Sequence, residues 1–158
     1  MSHEFSAYAI SPAAMAAQHA PVRMNKPTAT RHASKLSATA AGVTGSMRAS
    51  IGDVLASGGE PMVLKLLAEC ASIAEHAGYP LRSDVRQRFQ KMLTTAGSKM
   101  TASMLRDIER GAAIEVEHVI GDMVARRSAS GQEKPLLSAL DFVYLQLKSY
   151  EARRLREG

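Results

Sequence analysis

Apolar residues from position 60 onward recur with the helical period of about 3.6 residues. The clearest segment begins at Glu60 and Pro61, because proline suits a first helical position, and ends at Gly78, which suits a left-handed stop. Its apolar face consists of Val63, Leu66, Leu67, Cys70, Ile73, Ala74 and Ala77. The pattern predicts an amphipathic helix here.

Four more helices are predicted after it. Ser83 is expected to cap the first, which Gly97 ends, and Thr101 or Ser103 begins a shorter second one. Residues 114–124 form the third, and Pro135 opens a last long helix that runs into a basic C-terminal end. No alternating strand pattern of useful length appears, so the fold is predicted to be all-α, a bundle of about five or six helices.

Residues 1–37 differ from the rest in composition. They are rich in Ala, Ser, Thr, Pro and His, contain almost no acid, and are interrupted by Pro12, Pro21 and Pro27. A disordered tail, a processed targeting segment and unrelated leftover sequence are the alternatives, and the composition favours disorder. We therefore expect the folded domain to span residues 38–158. At its start, Gly42 and Gly45 would share a helix face and admit a closely packed neighbour.

Composition and charge narrow the function classes. Aromatic residues make up 4% of the chain and Trp is absent, so aliphatic and Met side chains must form the core. The net charge is +5, but residues 60–158 carry 15 basic against 13 acidic side chains, as a solvated surface does. We expect no nucleic-acid partner, no spanning helix, no secretory signal and a cytoplasmic location.

Local motifs for catalysis are sparse. The chain contains no GxGxxG, GxxxxGK[ST] or GxSxG pattern. The sequence therefore predicts neither a glycine-rich phosphate-binding loop nor a nucleophile elbow. Glu115 and His118 have an E-x-x-H spacing, but carboxylate-bridged metal sites use this motif twice, so we predict no metal. Cys70 lies on an apolar helix face, which predicts a buried, unreactive thiol. Ser103 and Glu115, each near a helix start, could be two caps or could line one pocket, and capping is the simpler interpretation.

One block of sequence resembles the ketopantoate reductase family. It comprises residues 101–111 (TASMLRDIERG), Ile114-Glu115 and Ile120-Gly121, with supporting matches at 48–53 (RASIGD), 77–80 (AGYP) and 136–154. The resemblance covers about 38–156. It implies an all-helical C-terminal domain similar to that of 6-phosphogluconate-dehydrogenase-like reductases. Family members are NADPH-dependent 2-dehydropantoate 2-reductases of pantothenate and coenzyme A biosynthesis, in which the serine contacts substrate and the glutamate lies at the active site. These positions are Ser103 and Glu115 here.

The sequence departs from the family pattern in two respects. The Rossmann domain that would bind NADPH is absent from these residues, so we expect no cofactor in this chain alone. The family's general acid is a lysine at the start of the first C-terminal helix, and ungapped alignment places that position at Ala33. Lys35 is the nearest lysine, but two residues on a helix correspond to about 200° of rotation, which would point its side chain to the opposite side. Lys35 is therefore a candidate catalytic residue that does not occupy the family's position.

The resemblance therefore implies a substrate-binding and dimerisation domain of a reductase that is inactive without its cofactor domain. The expected partners are a second copy or a separate Rossmann-type domain, and a small 2-keto acid. The alternative from a different class is a non-catalytic helical protein-interaction module, because a domain that normally packs on a partner exposes apolar surface without it.

Overall fold

The computed structural model describes the backbone of residues 28–158 and the side chains of residues 37–158. This part of the chain forms seven α-helices and contains no β-strand. They are α1 (Thr28–Met47), α2 (Ile51–Ala56), α3 (Glu60–His76), α4 (Ser83–Leu93), α5 (Ser103–Glu109), α6 (Asp122–Ala129) and α7 (Ala139–Glu157). A π-helical segment, Glu117–Gly121, leads directly into α6. The predicted all-α class is confirmed, and none of these helices is long and apolar enough to cross a membrane.

Helix α1 is the central element of the fold. Helices α2, α3, α5 and α7 and the π-helical segment all pack against it. The predicted role of its glycines is confirmed, because a Cβ atom at Gly42 would lie 2.9 Å from Val143 Cγ1 and one at Gly45 would lie 3.3 Å from Leu147 Cδ2. The small residues of α1 therefore let α7 approach its backbone closely.

Helix α1 also runs across the predicted domain boundary. It begins at Thr28, ten residues before position 38, so residues 28–37 continue the same helix as residues 38–47. Disorder was predicted for residues 1–37, and the part of that segment before Thr28 lies outside the described residues. The position of the boundary remains a prediction.

Aliphatic and methionine side chains form the core, as the scarcity of aromatic residues requires. The largest fully buried ones are Ile51, Leu66, Ile73, Leu93, Ile120, Met123, Leu140 and Leu147. Cys70 belongs to the same cluster, and its predicted burial is confirmed. Burial raises the pKa of its thiol to about 12, while the nearby Thr39 hydroxyl works in the opposite direction.

The helix ends agree with prediction at some positions and differ at others. Helix α3 begins at Glu60 as predicted, and Gly78 after it has the predicted left-handed backbone, with φ of +80°. Ser83, predicted to cap α4, is instead its first residue, and the cap is Arg82, whose guanidinium pairs with Asp84 at 3.0 Å. Helix α4 ends at Leu93 rather than continuing to Gly97.

The start of the last helix was predicted four residues too early. Helix α7 begins at Ala139, and residues 132–138 before it are not helical. The hydroxyl of Ser138 caps the helix by accepting a hydrogen bond from the Asp141 N–H at 3.1 Å. Leu136, assigned to the apolar face of this helix, is 99% exposed. Pro135 suits a helix start, but the serine cap that sets the actual start lies three residues later.

Candidate functional site

Ser103 is the first residue of α5, and its position is fixed through the residue before it. Thr44 Oγ1, on α1, accepts a hydrogen bond from the Ala102 N–H at 3.2 Å and donates one to the Ala40 carbonyl at 2.8 Å. This bond holds the start of α5 against α1. The capping interpretation of Ser103 is wrong, because the cap of α5 is Ala102 and no side chain caps the helix. The Ser103 side chain stays exposed.

The segment that leads to Ser103 is docked on the first turn of α2. The Gly52 N–H donates to the Ser98 carbonyl at 2.8 Å, and the Ile51 N–H donates to the Met100 carbonyl at 3.0 Å. A Cβ atom at Gly52 would lie 2.6 Å from both the backbone N and O of Ser98. Only glycine therefore allows residues 97–100 to cross α2 at this distance.

Glu115 directly precedes the helical turn that contains the π-helical segment. Its carbonyl accepts a hydrogen bond from the Val119 N–H at 3.0 Å. The neighbouring Ile114 N–H donates to Glu151 Oε1, on α7, at 2.8 Å, and Arg154 holds the other carboxylate oxygen at 3.1 Å. Partial burial acts to raise the pKa of Glu151, but hydrogen bonds from Arg154 and the Ile114 N–H outweigh it and lower the pKa. The backbone at Glu115 is thus tied to α7 by a charged acceptor.

Each of the three residues predicted for the site lies on α1 or on or beside an element that packs against α1. Ser103 lies on α5 and Glu115 lies beside the π-helical segment, and both of these elements pack against α1. Lys35 lies on α1 itself, with its side chain outside the described residues. The side chains of Ser103 and Glu115 are exposed, and neither forms a hydrogen bond or ion pair with another residue of the described part. Both are therefore available to a ligand.

A polar cluster beside Glu115 was not predicted from the sequence. Glu117 accepts hydrogen bonds from the Tyr144 hydroxyl, at 2.8 Å, and from the Lys148 ammonium, both on α7. The Lys148 and Tyr144 donors lower the pKa of Glu117, and the same Glu117 bonds raise the pKa of Lys148 and of Tyr144. A side chain at Gly121 would disturb this cluster, because its Cβ would lie 2.6 Å from Glu117 Oε2.

The Glu117 cluster could have been found only in part from the sequence. Tyr144 and Lys148 are four residues apart, so they share a face of the predicted helix. Their partner Glu117 lies about thirty positions away in sequence and belongs to a π-helical turn, for which the local sequence carries no distinctive signal. Among the described residues, no three or more His, Cys, Asp or Glu side chains are grouped so that they could hold a metal ion. Glu115 and His118 therefore belong to no such group.

Comparison with known proteins gives a family for this fold. Residues 32–150 match the family model described as the C-terminal domain of ketopantoate reductase PanE/ApbA. This range includes Lys35, Ser103 and Glu115. A curated relative, an uncharacterised oxidoreductase YkpB of Bacillus subtilis, is 27% identical over 118 residues, which are 74% of this chain and 38% of the relative.

Solved structures of ketopantoate reductases share the fold. A dimeric ketopantoate reductase from Staphylococcus aureus has a TM-score of 0.70 at 18% identity, over 84% of this chain and 46% of that one. A PanE/ApbA family ketopantoate reductase from Ralstonia eutropha has a TM-score of 0.66 at 21% identity, over 77% and 40%. A 2-dehydropantoate 2-reductase from Methylococcus capsulatus has a TM-score of 0.63 at 24% identity, over 76% and 41%.

The chain spans less than half the length of each of these relatives. The match of the family model nevertheless covers about three quarters of the chain, including the block around Ser103 and Glu115 that first indicated the resemblance. The chain therefore belongs to the ketopantoate reductase PanE/ApbA family, through the C-terminal domain of that family.

Proposed function

We propose that this chain is the substrate-binding helical half of a ketopantoate reductase-like enzyme. In this proposal Ser103 and Glu115 bind a short 2-keto acid, of which ketopantoate is the first candidate. The observation that carries the proposal is that the family match includes both residues, and that their exposed side chains have no partner in the described part of the chain. The residues directly before them, Ala102 and Ile114, are held through their backbone N–H groups by Thr44 and Glu151.

The chemistry of a 2-keto acid suits this pair of side chains. A hydroxyl such as that of Ser103 can donate to a carboxylate or a keto oxygen and accept from a substrate hydroxyl. A carboxylate such as that of Glu115 accepts from a substrate hydroxyl. Rigid backbone anchors limit the motion of both groups, so less entropy is lost when the substrate binds.

Reduction of the keto group needs a hydride and a proton. The hydride would come from NADPH held by a nucleotide-binding domain, and the proton would be delivered to the keto oxygen as the carbon accepts the hydride. For the proton donor the chain offers Lys35, the lysine nearest to the family's position, on α1, against which α5 and the π-helical segment pack. This role requires an alignment two residues out of the ungapped register, because that register places the family lysine at Ala33. The 158 residues carry no phosphate-binding glycine motif, so we propose that this chain alone binds the keto acid but does not reduce it.

Calorimetric titration of the purified chain with ketopantoate, and with pantoate, tests the proposal. We expect saturable binding, with loss of about tenfold or more in affinity for Ser103→Ala and for Glu115→Gln, because each removes a hydrogen bond to the charged or polar ligand. Absence of binding by the unsubstituted chain would reject the proposal. Steady NADPH oxidation by the chain in the presence of ketopantoate would reject the proposal that this chain alone does not reduce the keto acid.

Two matched variants control for general effects on the fold. Ser83, like Ser103, is the exposed first residue of a helix without a side-chain cap. Glu133, like Glu115, is exposed and lies outside the helices. Ser83→Ala and Glu133→Gln should leave the affinity unchanged, and an equal loss in these variants would show that Ser103 and Glu115 hold no special position.

A second candidate function, association with another copy of the chain, is favoured by one surface. Phe142 and Leu155 lie on α7 and are 50% and 72% exposed. Leu136 and Leu137, just before α7, are also exposed. Large exposed apolar side chains on one helix commonly mark an interface. We propose that this surface of α7 forms a homodimer, and a dimeric ketopantoate reductase is among the structures that share the fold.

Light scattering after size-exclusion chromatography tests this association. We expect a dimer at tens of micromolar and a monomer for Phe142→Glu, which places a charge in the apolar surface. The control is Met92→Glu, on α4, where the side chain is 38% exposed. A monomeric unsubstituted chain, or a dimer that Phe142→Glu leaves intact, would contradict the assignment.

A further inference from the structure

An open cleft of about 420 Å³ lies beside the C-terminal end of α1. Its walls come from the end of α1, from α5 and from α7, and they include neither Ser103 nor Glu115. Ile108, Leu145 and Leu147 supply apolar surface. The polar part of the wall consists of two guanidinium groups, two hydroxyls, one amide and a tyrosine: Arg48, Arg153, Ser46, Ser149, Gln146 and Tyr150.

Arg48 holds an unusual backbone conformation for a residue with a side chain. Its φ is +52°, and the other residues with positive φ in the described part of the chain are all glycines. The Ala49 N–H donates to the Thr44 carbonyl at 3.3 Å, which is the bond of a helix-ending motif that normally places glycine at the position of Arg48. An arginine here is therefore less favourable for stability than a glycine would be.

The guanidinium of Arg48 is oriented towards the cleft by an aromatic ring. Its Cζ lies 5.9 Å from the centre of the Tyr150 ring. The Tyr150 hydroxyl donates to the Ala112 carbonyl at 2.8 Å, which fixes the ring. Arg48 forms no ion pair with a described residue, so its charge is not neutralised within the cleft wall.

Arg153 supplies a second guanidinium to the same cleft. Its described ion pair is with Glu157, at 3.5 Å, where both side chains are more than half exposed. Such a pair is weak and readily exchanged for another anion. The cleft wall thus contains two guanidinium groups next to hydroxyls and apolar surface, and none of the residues that line it is acidic.

We propose that this cleft is a second binding site, for a small oxyanion carrying a phosphate or carboxylate group next to an apolar portion. The two guanidinium groups would bind the oxyanion, because planar forks match phosphate and carboxylate oxygens with paired hydrogen bonds. Leu145, which lines the cleft and is 65% exposed, would contact the apolar portion. The keto acid proposed for Ser103 and Glu115 occupies a different set of residues.

Nuclear magnetic resonance of the full chain, with the arginine Nε–Hε groups observed, tests the proposal. The probes are inorganic phosphate and butyrate, each titrated to about 10 mM, which is tenfold above a millimolar dissociation constant. Sodium chloride at equal ionic strength is the reference. We expect saturable shifts of the Arg48 and Arg153 signals with at least one probe. If phosphate alone binds, the ligand is of the phosphate class, and if butyrate alone binds, it is of the carboxylate class.

The variant Arg48→Gly separates the ligand role from a structural one. Glycine accepts φ of +52° without strain, so this variant should melt at a higher temperature than the unsubstituted chain while losing at least about tenfold in anion affinity. Arg82→Gln, which removes an exposed guanidinium directly before α4, should leave anion affinity unchanged. Shifts no larger than those with chloride, or undiminished binding by Arg48→Gly, would overturn the proposal.

Discussion

The carboxylate of Glu69, on α3, accepts a hydrogen bond from the Ala139 N–H, the first backbone amide of α7, at 2.9 Å. The same carboxylate also accepts from the Leu140 N–H at 3.2 Å and from the Ser138 hydroxyl at 2.7 Å. Arg127 donates to Ser138 Oγ at 3.0 Å and to Asp141 at 2.6 Å. One negative side chain of α3 therefore satisfies the free amides at the start of α7.

Removal of the Glu69 carboxylate should destabilise the fold strongly. Glu69→Ala leaves two helix amides and the Ser138 hydroxyl without an acceptor. We expect a loss of about 2 kcal/mol or more in the free energy of unfolding, measured by urea denaturation. Glu75→Ala, at an exposed position of the same helix, should change it by less than about 0.5 kcal/mol. Equal effects would show that Glu69 does not hold α7.

Asp141 should contribute to stability above pH 4 and lose this contribution in acid. Partial burial acts to raise its pKa, but hydrogen bonds from Arg127 and Lys134 outweigh it and hold the pKa below the ordinary value of 3.8. A carboxyl group whose pKa is lowered in the folded state stabilises the fold at pH values at which it is ionised. This stabilisation disappears as the pH falls through the pKa of the folded state.

The comparison of Asp141→Asn with the unsubstituted chain isolates this contribution. The difference between their free energies of unfolding should be largest and constant from about pH 5 to 7, and should shrink as the pH falls below about 4. Urea denaturation at a series of pH values measures it. A difference that stays constant down to the lowest pH at which the chain folds would contradict the assignment.

The glycine at position 52 should tolerate substitution far less well than the glycine at position 45. A Cβ at Gly52 meets backbone atoms of Ser98, which cannot move aside without displacing the segment before Ser103. At Gly45 the neighbouring atoms belong to the Leu147 and Met104 side chains, at 3.3 Å and 3.5 Å. We expect Gly52→Ala to cost about 2 kcal/mol or more, and Gly45→Ala to remain within about 1 kcal/mol of the original stability. Thermal unfolding of the two variants measures both changes in stability.

Cys70 should react with thiol reagents only when the chain opens. It is the single cysteine of the sequence, and burial raises the pKa of its thiol to about 12, so the folded protein contains almost no thiolate at pH 8. Labelling with a chromogenic disulfide at pH 8 should be slow in buffer and fast in denaturing urea. Rapid, stoichiometric labelling of the folded chain would show that α3 does not bury this residue.

The sequence predicted those features that depend on neighbouring residues. The helix from Glu60 follows from its apolar period and its proline, and the close approach of α7 at Gly42 follows from the spacing of two small residues on one face of α1. The family motif around Ser103 and Glu115 was also recognisable from local sequence, and the family match confirms it.

The features that sequence analysis missed depend on distant residues. Helix α7 begins at Ala139 rather than Pro135 because Glu69, about seventy positions away, binds the first amides there. Ser103 looked like a helix cap, but Thr44 of α1 takes the Ala102 amide and places Ser103 inside the helix. Arg48 carried no local signal either, since its unusual backbone and its ring contact with Tyr150 appear only in the folded chain.

Mapping of ketopantoate binding on the backbone amides of the labelled chain tests the central claim most directly. If Ser103 and Glu115 bind the keto acid, the largest saturable shifts will fall on residues 102–104 and 114–116. Ser103→Ala will raise the ketopantoate concentration at half-saturation by about tenfold or more, while Ser83→Ala will leave it unchanged. Shifts that are absent at saturating ketopantoate, or that concentrate on residues remote from both segments, would contradict the account.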